Sequence, residues 1–142
     1  MIKAIHHVGI VVIDLDVSLH FYRDILDLEV SGRFYDKIEE SEIVFLNVGE
    51  EVIELISPKN IKVNLIYRKW ERRDVGGVEH IALTVDDLDK MHEKLLKRGI
   101  KCLMKPTIYQ NIRYAYYQAP DGVILELVQE IEKKKGKRKI SA

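Results

Sequence analysis

HHVGIVVIDLD at residues 6–16 and EHIALTVDDLD at residues 79–89 are one pattern written twice. His7 falls on His80, Val12 on Val85, Asp14 on Asp87, Leu15 on Leu88 and Asp16 on Asp89. The match continues downstream. VIEL at residues 52–55 falls on ILEL at residues 124–127 with a single-residue slip, which sets Glu54 over Glu126. Two segments repeating in order at a nearly constant offset indicate a duplicated module.

Each copy carries the same succession of signals. Alternating apolar residues predict a first strand over residues 5–12 and again over 79–85. An aspartate then stands where a helix N-cap belongs, Asp14 or Asp16 in one copy and Asp86 or Asp87 in the other. Leu15, Leu19, Tyr22 and Leu26 form the apolar stripe of the first helix, and Leu88, Met91 and Leu95 that of the second. Gly99 closes the second helix in the left-handed conformation, with Asp27 at the comparable place in the first. Three more strands follow in each copy, over residues 29–35, 41–48 and 51–56, then 101–105, 113–118 and 123–129. Gly49-Glu50 and Pro120-Asp121-Gly122 supply the turns before the last strands. The expected fold is therefore α+β, built as two βαβββ modules at residues 1–58 and 77–131. A basic, aromatic-bearing linker (residues 59–76) joins them, and a lysine-rich tail (residues 132–142) is expected to be disordered.

Strand alternation selects the chemically interesting residues. Val8, Ile10 and Val12 share the face that packs under the helix, so His7 points to the other side. Ile81, Leu83 and Val85 leave His80 on the opposite face in the same way. Ile53 and Leu55 oppose Glu54, and Leu125 and Leu127 oppose Glu126. Each half thus sends one imidazole and one carboxylate away from its helix. If the two sheets face each other there, His7, Glu54, His80 and Glu126 can converge on one divalent ion, for which zinc, nickel, cobalt, manganese and iron are all suited by two nitrogen and two oxygen donors. His6 reads as structural, and His20 and His92 as helix-surface residues.

Bulk composition narrows the class. The 142 residues are 46% hydrophobic, enough for a packed core. Lys+Arg and Asp+Glu both number 23, and that balance argues against a dedicated nucleic-acid binder. No apolar run approaches a membrane span, and the start of the chain lacks a signal-peptide pattern. A single cysteine, Cys102, allows no disulfide framework within one chain, which suggests a reducing cytoplasm. In the linker, Trp70 and neighbouring aliphatic and aromatic residues interleave with Arg68, Lys69, Arg72 and Arg73, a mixture suited either to a solubilising connector or to a lid over an anionic substrate.

The segments HHVGIVVIDLDVSLHFYRDILDLEV, VIELISP, GGVEHIALTVDDLDKM and APDGVILELVQ closely resemble the vicinal oxygen chelate superfamily, which includes glyoxalase I (lactoylglutathione lyase), methylmalonyl-CoA epimerase, extradiol dioxygenases and fosfomycin or bleomycin resistance proteins. The resemblance implies curved mixed sheets enclosing a metal-centred cleft, often in a homodimer. It carries the four family ligand positions onto His7, Glu54, His80 and Glu126. It implies a metal-dependent lyase or isomerase acting on a small carbonyl or thioester substrate, with an enediolate stabilised and Glu126 and Glu54 as acid–base candidates. Val11 and Pro58 stand where members that use glutathione often have arginine and asparagine. The ELISP run and the GGVEH approach look more like methylmalonyl-CoA epimerase, although Glu79 replaces that group's second histidine. A non-catalytic small-molecule (antibiotic) binding protein is the third possibility.

Overall fold

A computed structural model describes residues 1–62 and 70–131. The aliphatic and basic residues 63–69 of the linker and the lysine-rich tail from residue 132 lie outside that description. The described residues form two four-stranded mixed sheets, each with the strand order first, fourth, third, second.

The first sheet contains β1 (His7–Val11), β2 (Glu29–Asp36), β3 (Ser41–Val48) and β4 (Glu51–Pro58). β1 runs parallel to β4, while β4 with β3 and β3 with β2 are antiparallel. A parallel neighbour cannot be reached by a tight turn, so the crossover contains a helix, α1 (Leu15–Leu19). Asp14 caps α1, accepting from the backbone N–H groups of Asp16 at 3.0 Å and Val17 at 3.2 Å. The second sheet repeats the plan with β5 (His80–Thr84), α2 (Leu88–Lys97), β6 (Cys102–Tyr109), β7 (Ile112–Gln118) and β8 (Ile124–Glu130). β5 is parallel to β8, and the other pairs are antiparallel. Asp87 caps α2 by accepting from Lys90 N–H at 3.1 Å. The α+β architecture of two βαβββ modules expected from the repeat is the one observed.

Burial follows the strand alternation. Ile10 and Val12 are buried in the first module, together with Val44, Leu46, Ile53 and Leu55. In the second module Leu125 and Leu127, the counterparts of Ile53 and Leu55, are buried together with Leu88 and Leu95 of α2, while Leu83 and Val85 are half-buried. The first helix departs from its expected stripe. From His20 to Ile25 the coil widens to a π-helix, with Leu26 N–H reaching Phe21 C=O five residues back at 2.9 Å. The wider turn changes the phase, so Phe21, Tyr22 and Ile25 are buried while Leu26 is only half-buried. Both helical segments end in a left-handed residue, Asp27 at φ 58° and Gly99 at φ 78°.

The chain divides into two compact units that do not quite follow the sheets. The turn Pro120–Gly122, between β7 and β8, groups with the unit that holds the first sheet. Within that unit, the Asp121 carboxylate accepts from Ile13 N–H at 2.9 Å and from the Ser18 hydroxyl at 3.1 Å.

Candidate metal centre

Register explains how each sheet holds its histidine and glutamate. In the first sheet Glu54 lies beside Gly9 on β1 and beside Phe45 on β3. His7 is two residues before Gly9, on the same face. His7 Nε2 stands 3.2 Å from Glu54 Oε2. In the second sheet Glu126 lies beside Ala82 on β5 and Tyr116 on β7. His80 is again two residues earlier than the small residue, with Nε2 3.7 Å from Glu126 Oε1.

The structure brings each histidine to the glutamate of its own module. Among the described residues, His, Cys, Asp and Glu form no group of three or more arranged for a metal ion; the units present two His–Glu pairs. Both carboxylates are largely sequestered, with side-chain exposures of 16% for Glu54 and 14% for Glu126. A carboxylate in that setting requires a compensating partner, and imidazole nitrogen beside carboxylate oxygen is a donor set that fits a borderline divalent ion.

The surroundings of the two pairs differ. Around the first, the sheet face is apolar: Phe45 flanks Glu54, and its ring meets Phe34 with centroids 5.6 Å apart. His7 Nδ1 contacts His6 Nδ1 at 2.8 Å. His6 precedes β1, so strand alternation does not govern it; it is exposed and leans on His7 rather than lying toward the helix.

The second pair sits in a polar and aromatic network. Burial, reinforced by the neighbouring Glu126 carboxylate, pushes the Tyr116 phenol up to about 12. Glu79 accepts two hydrogen bonds from Arg73, Nε to Oε2 at 2.7 Å and Nη2 to Oε1 at 2.6 Å. The Arg73 hydrogen bonds, opposed by burial, bring its carboxyl down to about 2. Glu79 Oε1 is also 3.0 Å from His80 Nδ1. An ionised carboxylate can only accept, so this contact requires the proton on Nδ1. The Arg73 guanidinium lies 4.1 Å from the Trp70 ring centroid and 5.2 Å from that of Tyr116.

Tyr116, Glu79 and Arg73 did not emerge from the sequence as site residues. The available signal was alternation in RYAYYQ, which places Tyr114 and Tyr116 on one face, but only the β7–β8 register identifies Tyr116 as the neighbour of Glu126. His92 also differs from its expected place on the helix surface. It is half-buried, with Nδ1 2.7 Å from the hydroxyl of buried Tyr117. Leu88, Met91, His92 and Leu95 share the i, i+3, i+4, i+7 stripe, so the helical period itself turns His92 inward. His20 is exposed and pairs with Asp24 at 3.3 Å. Among the described residues no helix is long and apolar enough to cross a membrane.

Two four-stranded sheets of this topology, each built from a βαβββ module and each carrying a His–Glu pair, define a duplicated βαβββ class of protein. The chain belongs to the Glyoxalase/Bleomycin resistance protein/Dioxygenase superfamily, whose family model matches residues 4–127. It is 32% identical over 133 residues to a probable lactoylglutathione lyase of Synechocystis, covering 90% of this chain and 96% of the relative. It is 28% identical over 134 residues to the mitochondrial methylmalonyl-CoA epimerase of Mus musculus, covering 88% and 72%. The solved structure of SMU.1112c superposes with a TM-score of 0.76 at 27% identity, covering 90% of this chain and 99% of that one.

Proposed function

We propose that this protein is a metal-dependent lyase or isomerase of the glyoxalase type, acting on a small carbonyl or thioester substrate. The observation that carries the reading is the recurrence of one His–Glu pair in both modules, His7 with Glu54 and His80 with Glu126, each on the face its helix does not cover. His7, Glu54, His80 and Glu126 would hold the divalent ion, with zinc, nickel, cobalt, manganese and iron all compatible. When bound, the ion supplies Lewis-acid stabilisation of negative charge that develops on a substrate oxygen.

The remaining work belongs to the chain. A carboxylate beside the reacting carbon removes the proton next to the carbonyl and returns it at the neighbouring position or to the opposite face. Glu126 and Glu54 are the candidates. They are distinguished by their neighbours, since Glu126 lies beside the Tyr116 phenol and Glu54 beside Phe45.

The likeness to methylmalonyl-CoA epimerase supports a second reading within the same chemistry, an acyl-CoA epimerase that removes and restores the C2 proton. Either activity requires a small-molecule substrate, and a homodimer in solution accords with both. The deciding experiment combines metal analysis with a Glu126→Gln variant, assayed on a methylglyoxal–thiol adduct and for C2 proton exchange on methylmalonyl-CoA. Retained metal with lost turnover supports proton transfer by Glu126; undiminished turnover contradicts it. Ligand binding that survives complete chelation, in a protein that holds no metal, would instead indicate a non-catalytic binding protein.

A further inference from the structure

We infer that Glu79, locked in place by Arg73, is the positioning residue that fixes the His80 ring with its proton on Nδ1 and its Nε2 lone pair free beside Glu126. The inference rests on the metal reading above for its purpose, but its geometry stands within one compact unit.

A neutral imidazole carries one N–H, and the partner of one nitrogen decides which nitrogen is left to donate an electron pair. For His80 that partner is Glu79 Oε1, 3.0 Å from Nδ1. Glu79 is not free to turn away. Both its oxygens are engaged by Arg73, at 2.6 and 2.7 Å, in the forked geometry that only arginine provides. Arg73 is in turn placed against the faces of Trp70 and Tyr116. On its other side His80 Nε2 stands 3.7 Å from Glu126, beyond hydrogen-bond range, so nothing there calls for a proton on Nε2. The ring edge of His80 also meets the Tyr116 ring, with centroids 5.3 Å apart, which limits rotation.

The first module shows what this arrangement adds. Glu79 occupies the repeat position of His6, and His6 likewise touches Nδ1 of its neighbouring histidine, at 2.8 Å. Yet His6 offers no fixed negative charge and no arginine fork, so the first module has no counterpart of the Arg73–Glu79 lock behind its histidine. Arg73 also lies 5.2 Å from the ring of Tyr116, the register neighbour of Glu126. A carboxylate behind a metal-binding histidine raises its basicity and fixes its orientation, and loss of such a partner typically weakens metal affinity by about 10- to 100-fold.

The test needs no turnover. Histidine ring nitrogens are observed by long-range ¹H–¹⁵N NMR in the metal-free, full-length protein, at a pH where His80 is neutral. Wild type is expected to show His80 as the Nδ1–H tautomer, and a wild-type Nε2–H tautomer overturns the inference without recourse to any variant. In Glu79→Leu the signals are expected to move toward a mixture of tautomers, with Ni²⁺ affinity in calorimetry reduced by about 10- to 100-fold. In Glu79→Gln, which keeps an acceptor oxygen, the tautomer is expected to persist and the affinity to fall by less than in Glu79→Leu. A folded Glu79→Leu protein with the wild-type tautomer, or with wild-type Ni²⁺ affinity, also overturns it. The metal reading fails separately, if wild type binds no Ni²⁺ or if His80→Ala binds it as tightly; the tautomer then decides the role of Glu79 by itself.

Discussion

Ser18 and Asp121 are 103 residues apart in sequence and joined by a 3.1 Å hydrogen bond from the Ser18 hydroxyl to Asp121 Oδ2. The other oxygen of the same carboxylate accepts from Ile13 N–H at 2.9 Å. Asp121 therefore secures the passage from β1 into α1, although it comes from the turn that precedes β8. Ser18 is 1% exposed, which makes an unpaired hydroxyl there costly.

Removal of these contacts should appear as lost stability. Ser18→Ala is expected to cost about 1.5–3 kcal/mol, the usual range for a hydrogen bond to a charged group. Asp121→Ala should cost more, about 2–4 kcal/mol, because it removes both bonds and places a Cβ-bearing residue poorly suited to φ 63° at that turn. Asp121→Asn keeps an acceptor and tolerates the left-handed conformation, so it should fall between wild type and Asp121→Ala. Urea midpoints at unchanged slope measure the series; a wild-type midpoint for Asp121→Ala would show that the turn secures nothing.

Gly99 supplies a simpler backbone test. Its φ is 78°, and a Cβ built there would meet nothing within 4 Å. Any loss on Gly99→Ala is then conformational rather than steric, and about 1 kcal/mol is expected. Gly99→Asn should lose less. Equal losses for the two variants in thermal melts would point away from the left-handed backbone as the cause.

The repeat made much of this fold legible. Two aligned segments fixed the order of strands and helices. The caps at Asp14 and Asp87, the left-handed ends at Asp27 and Gly99 and the turn at Asp121 all follow from residue types with strong local preferences. What local preference does not encode stayed hidden. The π-helix from His20 to Ile25 depends on packing of Phe21, Tyr22 and Ile25, so the stripe ending in Leu26 came out of phase. Alternation placed His7 and His80 away from the helices, but the partner of Glu126 depends on register between strands β7 and β8. Tyr116 therefore became visible only in the structure. The same holds for Arg73, whose role depends on a folded contact with Glu79 and not on its place in a basic run.

The Arg73–Glu79 pair should also leave a mark on acid unfolding. The Glu79 carboxyl is held down to about 2 from an ordinary 4.5, chiefly by the Arg73 hydrogen bonds. A folded value below the unfolded one means stabilisation that is fully present above about pH 4.5 and is lost as pH falls toward about 2. The stability difference between wild type and Glu79→Gln should therefore be constant near neutrality and shrink through that window. Chemical denaturation at a series of pH values reads it directly, and a difference that holds constant down to pH 2 would contradict the assignment.

Tyr116 offers a test of how the two carboxylates divide their work. Its phenol stands at the register position beside Glu126, whereas Phe45 at the corresponding position beside Glu54 carries no hydroxyl. Tyr116→Phe makes the two modules alike at this point. One hydrogen bond to a charged group is worth about 1.5–3 kcal/mol, so a carboxylate that must be held in line for proton transfer should lose on the order of tenfold or more in kcat. KM should change little, since the phenol is assigned to Glu126 and not to substrate. The aromatic contacts with Trp70 and His80 survive the substitution, so the melting temperature should remain close to wild type. The matching change Phe45→Tyr would supply Glu54 with a donor and should alter kcat if Glu54 exchanges protons. If Tyr116→Phe leaves kcat intact while Phe45→Tyr lowers it, the proton passes through Glu54, and Glu126 serves the site as a ligand alone.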